Sequence, residues 1–276
     1  MKILVTGARG QLGHDVCKEI GYDAVGIGKD ALDITDKTAT YKYVERLCPE
    51  VIVHCAAYTA VDKAESDAEL CYSVNALGTK YIAESARNID AKIVYISTDY
   101  VFDGTLDRPY EIDDTPNPLN VYGRTKFEGE EFVRYILEKH FIIRTSWAFG
   151  ANGHNFVKTM LRLGLEHRVV KVVTDQIGSP TYTSDLARFV ADIIRSDKFG
   201  TYHATNEGFC SWHEFACKIF KIAEMDVAVM PITANEYSAT AKRPRNSKLS
   251  KQCLTNAGFN LLPDWKSSLN RYIAGI

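Results

Sequence analysis

The sequence predicts an α/β fold: a doubly wound parallel sheet with a smaller mixed substrate domain beside it. Three observations predict it. Short apolar runs alternate with helix-period segments through the first two thirds of the chain. Those runs are apolar throughout, which marks strands covered on both faces. The last third loses this alternation and carries a differently patterned set of elements.

"KILVTG" (2–7) reads as the first buried strand, and Leu12, Val16 and Ile20 follow at helical spacing. Further strands are expected at 23–28, 50–57, 91–98, 141–146 and 168–174. The stretches 62–88 and 122–139 have helical composition and no proline. In the last third, Ser211 opens 210–224 with Glu214 three residues on, a capping-box pattern. Phe215, Ile219 and Ile222 mark the buried stripe of that helix. "VAVMPIT" (227–233), a basic loop at 241–247 and a terminal helical stretch complete the chain. The expected division gives 1–150, with about 168–198 and 225–235, to a dinucleotide-binding domain. About 151–167, 199–224 and 236–276 then form the substrate domain. Loop 103–120, rich in Asp, Pro and Asn, is long enough to serve as a lid.

The 276 residues are 46% hydrophobic and 25% charged, which is ordinary globular composition. A net charge of −2 with no basic block argues against nucleic acid or a membrane surface as partner. Seven cysteines, an odd number without a Cys-x-x-Cys pair, fit reduced intracellular usage, and no metal site is expected. "MKILVTGARG" enters a strand at once, so no signal peptide is expected and the location expected is cytoplasmic.

Two motifs carry chemistry. "TGARGQLG" (6–13) places Gly7, Gly10 and Gly13 between a strand and a helix. There they permit a tight turn, close approach to a pyrophosphate and close helix–strand contact, in the manner of a Rossmann-type dinucleotide site. The end of the second strand, Gly28-Lys29-Asp30, leaves the ribose position ambiguous. Arg9 and Lys29 either face a 2′-phosphate or are solvated; the first reading favours NADPH, with NADH the alternative. In "NVYGRTKFEG" (120–129), Tyr122 and Lys126 stand one helical turn apart. An ammonium there would lower the tyrosine pKa and equip it as a general acid.

With "STDYVF" (97–102) and "YGRTK" (122–126) following the glycine loop in that order, the chain resembles the extended short-chain dehydrogenase/reductase family. "AAYTAVDKAE" (56–65), "VNALGT" (74–79), "RTSWAFG" (144–150), "NFVKTMLRL" (155–163), "DQIGSPT" (175–181) and "KRPRNS" (242–247) point to the reductases of nucleotide sugars within it. The resemblance implies hydride transfer from NADPH or NADH to a keto sugar, with Thr98, Tyr122 and Lys126 catalytic. It implies that Gly7, Arg9, Gly10, Gln11, Leu12, Gly13, Asp33, Ile34, Ala56, Ala57 and Thr59 hold the cofactor with Tyr122 and Lys126. It places Thr98, Asp99, Trp147, Asn155, Gln176, Thr181 and Arg243 on the side of the nucleotide-sugar substrate, Arg243 offering a fork for a diphosphate. Trp147 packs on the sugar or simply in the core. Tyr100, where dehydratases carry glutamate, disfavours water elimination. Some relatives dimerise through magnesium. Asp15 fits one acidic position, but Ser184 stands at another, so no metal is carried over, and monomer and homodimer both remain expected. The alternatives are a reductase or epimerase acting on another nucleotide sugar, or a regulatory subunit like that of methionine adenosyltransferase.

Overall fold

The computed structural model describes residues 1–276. In chain order the elements are β1 (Ile3–Thr6), α1 (Gln11–Ile20), β2 (Ala24–Ile27), α2 (Lys37–Leu47), β3 (Val51–His54), α3 (Val61–Ala64), α4 (Ala68–Tyr72), α5 (Thr79–Asn88), β4 (Lys92–Thr98), α6 (Val121–Ile136), β5 (His140–Thr145), β6 (Ala148–Phe149), α7 (Phe156–Glu166), β7 (Val169–Val173), β8 (Ile177–Gly178), β9 (Thr181–Tyr182), α8 (Thr183–Ile193), β10 (Gly200–His203), β11 (Cys210–Ser211), α9 (Trp212–Ile222), β12 (Ala228–Ile232), α10 (Gln252–Asn256) and α11 (Trp265–Ile273). A widened helical turn, Ser73–Gly78, joins α4 to α5.

Six strands form one sheet in the order β10-β5-β4-β3-β1-β2, every pair parallel. Its apolar runs are continuous because both faces are covered. Ile3 and Val5 of β1 point into a core shared with Val16 of α1 and Leu186 and Val190 of α8. Leu4, between them, points the other way, onto Val44 of α2, Ile82 of α5 and Val133 of α6. Each such side chain contributes roughly 1.5–3 kcal/mol when fully buried. The chain moves from β1 out to β2 and returns to the other side of β1 at β3. That reversal opens a crevice at the carboxyl ends of the strands, where ligands bind in such sheets.

A third core lies outside the sheet. Val157 and Met160 of α7, Val170 and Val172 of β7, Phe215 and Ile219 of α9, and Trp265 and Leu269 of α11 make it. The expected capping box is present: Ser211 Oγ accepts from Glu214 N at 3.0 Å, and Glu214 accepts from Ser211 N at 2.7 Å.

Strand membership departs from the sequence reading at two places. The sequence reading gives 168–174 a strand in the dinucleotide-binding domain and adds 225–235 to that domain. Instead β7 pairs only with β12, in a separate two-stranded parallel ribbon. Its apolar residues alternate with exposed Val169 and Lys171, so one face alone is buried, against α7 and α9. Residues 200–203, expected in the substrate domain, supply the sixth sheet strand, since Tyr202 completes the core over α8. Loop 103–120 is tied down rather than free. Asp103 accepts from Thr105, Tyr110 and Asn117, and Asn246 donates to the carbonyls of Leu106 and Arg108. No helix is long and apolar enough to cross a membrane.

Candidate active site

The crevice is a cleft of about 860 Å³ lined from both sides of the β1/β3 switch. Gly7, at φ +67°, turns the chain out of β1, and a Cβ there would lie 2.6 Å from Ala56 N. A Cβ on Gly13 would lie 2.3 Å from Gly7 O, so α1 can start against the loop only without one. No side chain caps α1. Its first-turn N–H groups, at Gln11, Leu12 and Gly13, stand at the cleft wall as a built anion cradle. The donor set and shape fit a dinucleotide pyrophosphate.

Asp33, Ile34, Ala56, Ala57 and Thr59 line the same cleft, as do Thr98, Asp99, Tyr122, Lys126 and Trp147. Arg9 does not line it: its guanidinium lies 2.6 Å from Asp30 with both side chains exposed. Lys29 does line the cleft, 3.5 Å from Asp33.

Thr98 ends β4 and Tyr122 begins α6. The helix starts there because Asn120 caps it, accepting from Gly123 N at 2.7 Å. Gly123 lets that first turn approach the strand end, where a Cβ would fall 2.1 Å from Tyr100 O. Thr98 Oγ1 accepts from Tyr100 N at 3.2 Å and donates to Asp99 Oδ1 at 3.0 Å. Asp99 is buried, its Oδ2 has no hydrogen-bond partner, and burial pushes its carboxyl up to about 6.

The expected lowering of the Tyr122 pKa by Lys126 is not found. Burial raises the phenol well above its ordinary value, with a hydrogen bond to Thr98 opposing, so Tyr122 keeps its proton at neutral pH. The shift falls on the lysine instead. Lys126 is 2% exposed, and burial drives its ammonium down to about 7, with Glu130 opposing.

Several expected substrate residues lie outside the cleft. Asn155 caps α7, accepting from Lys158 N at 3.0 Å, and donates to Gly150 O and Gln11 Oε1 at 2.9 and 3.1 Å. Its groups are spent on holding the substrate side against the glycine loop. Thr181 is fully buried at the β6–β9 bridge. Trp147, at φ +48°, stacks on Trp212 at 3.6 Å while lining the cleft. Gln176 and Arg243 belong to a second cavity of about 980 Å³, which also presents Lys242, Arg245 and Lys248. There Arg243 forks onto Asp62, at 3.1 and 2.6 Å. Tyr100 stands between Tyr122 and Arg243: its phenol feels Arg243, and its ring meets Tyr122 edge-on at 6.0 Å. Asp15 is a structural acceptor for Thr183, at 2.5 Å.

Sequence reasoning missed Asp62 and the network beneath Lys126. Glu130, wholly buried, receives Arg144 Nε and Nη2 at 2.9 and 2.8 Å, Arg134 at 2.6 Å and the Ser97 hydroxyl. Its signal was in the sequence, since Glu130 follows Lys126 by one turn.

A parallel sheet with a glycine cradle at its switch point, and a Thr, Tyr and Lys beside it, defines the extended class of short-chain dehydrogenases/reductases. The chain belongs, more narrowly, to the family described as the RmlD substrate binding domain, whose model matches residues 1–276. It is 40% identical to the spore coat polysaccharide biosynthesis protein SpsK of Bacillus subtilis, over 99% of this chain and 96% of that one. It is 41% identical to a dTDP-4-dehydrorhamnose reductase of Aggregatibacter actinomycetemcomitans, over 97% of each. Among solved structures, the Bacillus anthracis dTDP-4-dehydrorhamnose reductase, in complex with NADP, matches at TM-score 0.98 and 44% identity. That match covers 100% of both chains.

Proposed function

We propose that this protein reduces the C4 ketone of dTDP-4-dehydro-6-deoxy-L-mannose to dTDP-L-rhamnose, using NADPH or, alternatively, NADH. The observation that carries the reading is the convergence of Thr98, Tyr122 and Lys126 in the cleft that the glycine cradle enters. The family and the reductases the chain is similar to support it.

The cradle of Gly7, Gly10, Gln11, Leu12 and Gly13 would hold the pyrophosphate, and Asp33, Ile34, Ala56, Ala57 and Thr59 the rest of the dinucleotide. When bound, the cofactor supplies a hydride. Tyr122, protonated at neutral pH, gives its proton to the C4 oxygen as negative charge develops there. Thr98 hydrogen-bonds the same oxygen, and Asp99, through its unpartnered Oδ2, takes a sugar hydroxyl. Lys126 would hold the nicotinamide ribose, and its ammonium would offset the phenolate left when Tyr122 gives up its proton. Trp147 walls the sugar. The second cavity takes the nucleoside diphosphate, with Arg243 exchanging Asp62 for phosphate oxygens and Gln176 beside it. Asn155 and Thr181 hold this side in place without touching the substrate.

The test is absorbance at the reduced-nicotinamide band with purified protein, the 4-keto sugar nucleotide and NADPH, then NADH. Rapid oxidation supports the reading, and the ratio of rates ranks the cofactors. No oxidation by protein that binds the cofactor overturns the substrate assignment. Stoichiometric NAD retained through purification would point to an epimerase instead.

A further inference from the structure

We propose that Tyr95 is the positioning residue for Lys126, its ring face holding the ammonium charged and aimed into the cleft. The value of that charge to turnover rests on the functional reading above; the contact itself does not.

A buried ammonium needs a partner. Lys126 Nζ makes no ion pair and no hydrogen bond within the protein, although Glu130 lies one turn away. Glu130 is fully engaged by Arg144, Arg134 and Ser97. What Nζ does have is the Tyr95 ring, 4.0 Å from its centroid. At that distance, on the wall of the cleft, the ring quadrupole attracts a cation.

Tyr95 is built for this. It is fully buried in β4, and its hydroxyl donates to the backbone oxygen of Lys126 itself at 3.1 Å. One residue thus fixes both the main chain and the head of the same lysine. Gly129 makes the approach possible, since a Cβ there would lie 2.3 Å from Tyr95 Oη. On Tyr95's flank, His54 stacks at 5.8 Å. Hydrogen-bonded between Thr6 and Thr79, and pushed down to about 3 by burial and by Lys126, His54 stays neutral and adds no competing charge. The ionisable groups around Nζ are His54 of β3 and Cys55 just after it, Cys71 from α4, Tyr95 from β4, and Tyr122 and Glu130 on α6. The two thiols are kept protonated, since burial raises both.

The experiment replaces Tyr95 by phenylalanine and then by di- and trifluorophenylalanine, which weaken the ring quadrupole at constant shape. The Lys126 ammonium is titrated by NMR of ε-13C-labelled lysine, its signal assigned by loss in Lys126→Met. Expected is a Tyr95→Phe midpoint near wild type. It then falls stepwise along the fluorinated series by about one pH unit, a roughly tenfold change in the protonation constant. The alkaline limb of kcat moves to lower pH with it. A midpoint constant along the series overturns the proposal, as does Tyr95→Phe itself shifting the midpoint by the full amount, which would assign the role to the hydroxyl. The midpoints are read on the protein without sugar substrate, so they hold whether or not the reductase assay succeeds. A midpoint that moves while kcat does not supports the Tyr95 contact and overturns only the role given to the ammonium in turnover.

Discussion

Replacing Glu130 by alanine should destabilise the protein more than any other single change on the catalytic helix. Glu130 is 0% exposed and Arg144 1%, and the two are joined by a bidentate contact at 2.9 and 2.8 Å. Alanine would leave a buried guanidinium with only a carbonyl, Ile112 O at 3.2 Å, and a long contact to His203. Breaking a buried pair from one side costs about 3–5 kcal/mol, because the remaining charge is uncompensated. For a chain of this size that corresponds to roughly 6–20 °C in Tm. Urea unfolding at 25 °C, followed by tryptophan fluorescence, measures it. The loss also carries a pH signature. Burial pushes the Glu130 carboxyl up, but Arg144, with Arg134 and Ser97, brings it below the usual carboxylate range. A lowered pKa gives stability that is present above the unfolded value of 4.5 and is lost as pH falls through the folded one. The gap between wild type and variant should therefore be full at neutral pH and shrink in acid. A gap below about 1 kcal/mol at pH 7 would refute the reasoning, since solvent would then be reaching Arg144. The double variant Glu130→Leu with Arg144→Met should recover much of the loss, because removing both charges leaves neither stranded.

Tyr122→Phe should retain binding of the reduced cofactor, read by its fluorescence, and lower kcat by about 10²–10⁴-fold, as expected on loss of a general acid. Gly123→Ala puts a Cβ 2.1 Å from Tyr100 O, so the helix start must move. A cost of about 1–3 kcal/mol in urea unfolding should accompany a fall in kcat near a hundredfold. Asp99→Asn should stabilise the unliganded protein at pH 7 by about 3 kcal/mol. A carboxyl raised to about 6 costs stability progressively as pH climbs through its unfolded value of 3.8, so unfolding curves at about pH 3 should show almost no difference.

The parts of the site that could be read from the sequence are those set by neighbours along the chain. Gly7 and Gly13 answer a local turn, and Tyr122 and Lys126 a helical period. Ser211 and Glu214 form a capping box three residues apart. The misplacements arose where two distant segments had to be weighed against each other. Residues 168–174 carry four valines and read as a strand, whereas 200–203, Gly-Thr-Tyr-His, carry no apolar run to announce one. Only pairing decided that the second joins β5 and the first joins β12. Asn155 and Thr181 stand in motifs of substrate-binding type, yet the Asn155 amide donates to Gln11 Oε1 and Gly150 O, and the buried Thr181 hydroxyl donates to Ser179 O.

The sequence by itself determined the alternation of strands and helices, the glycine cradle, the one-turn spacing of Tyr122 and Lys126 and the small net charge. These depend on period, residue type and charge count, which need no third dimension. The tertiary structure alone decided the electrostatics. Whether Lys126 lowers Tyr122 or is itself lowered depends on how much water each group loses and on which charges face it. Tyr95, Glu130 and Arg144 reach that point from separate elements, brought there by the packing of α6 on the sheet. A pKa is a property of such surroundings, and no spacing along one helix could fix it.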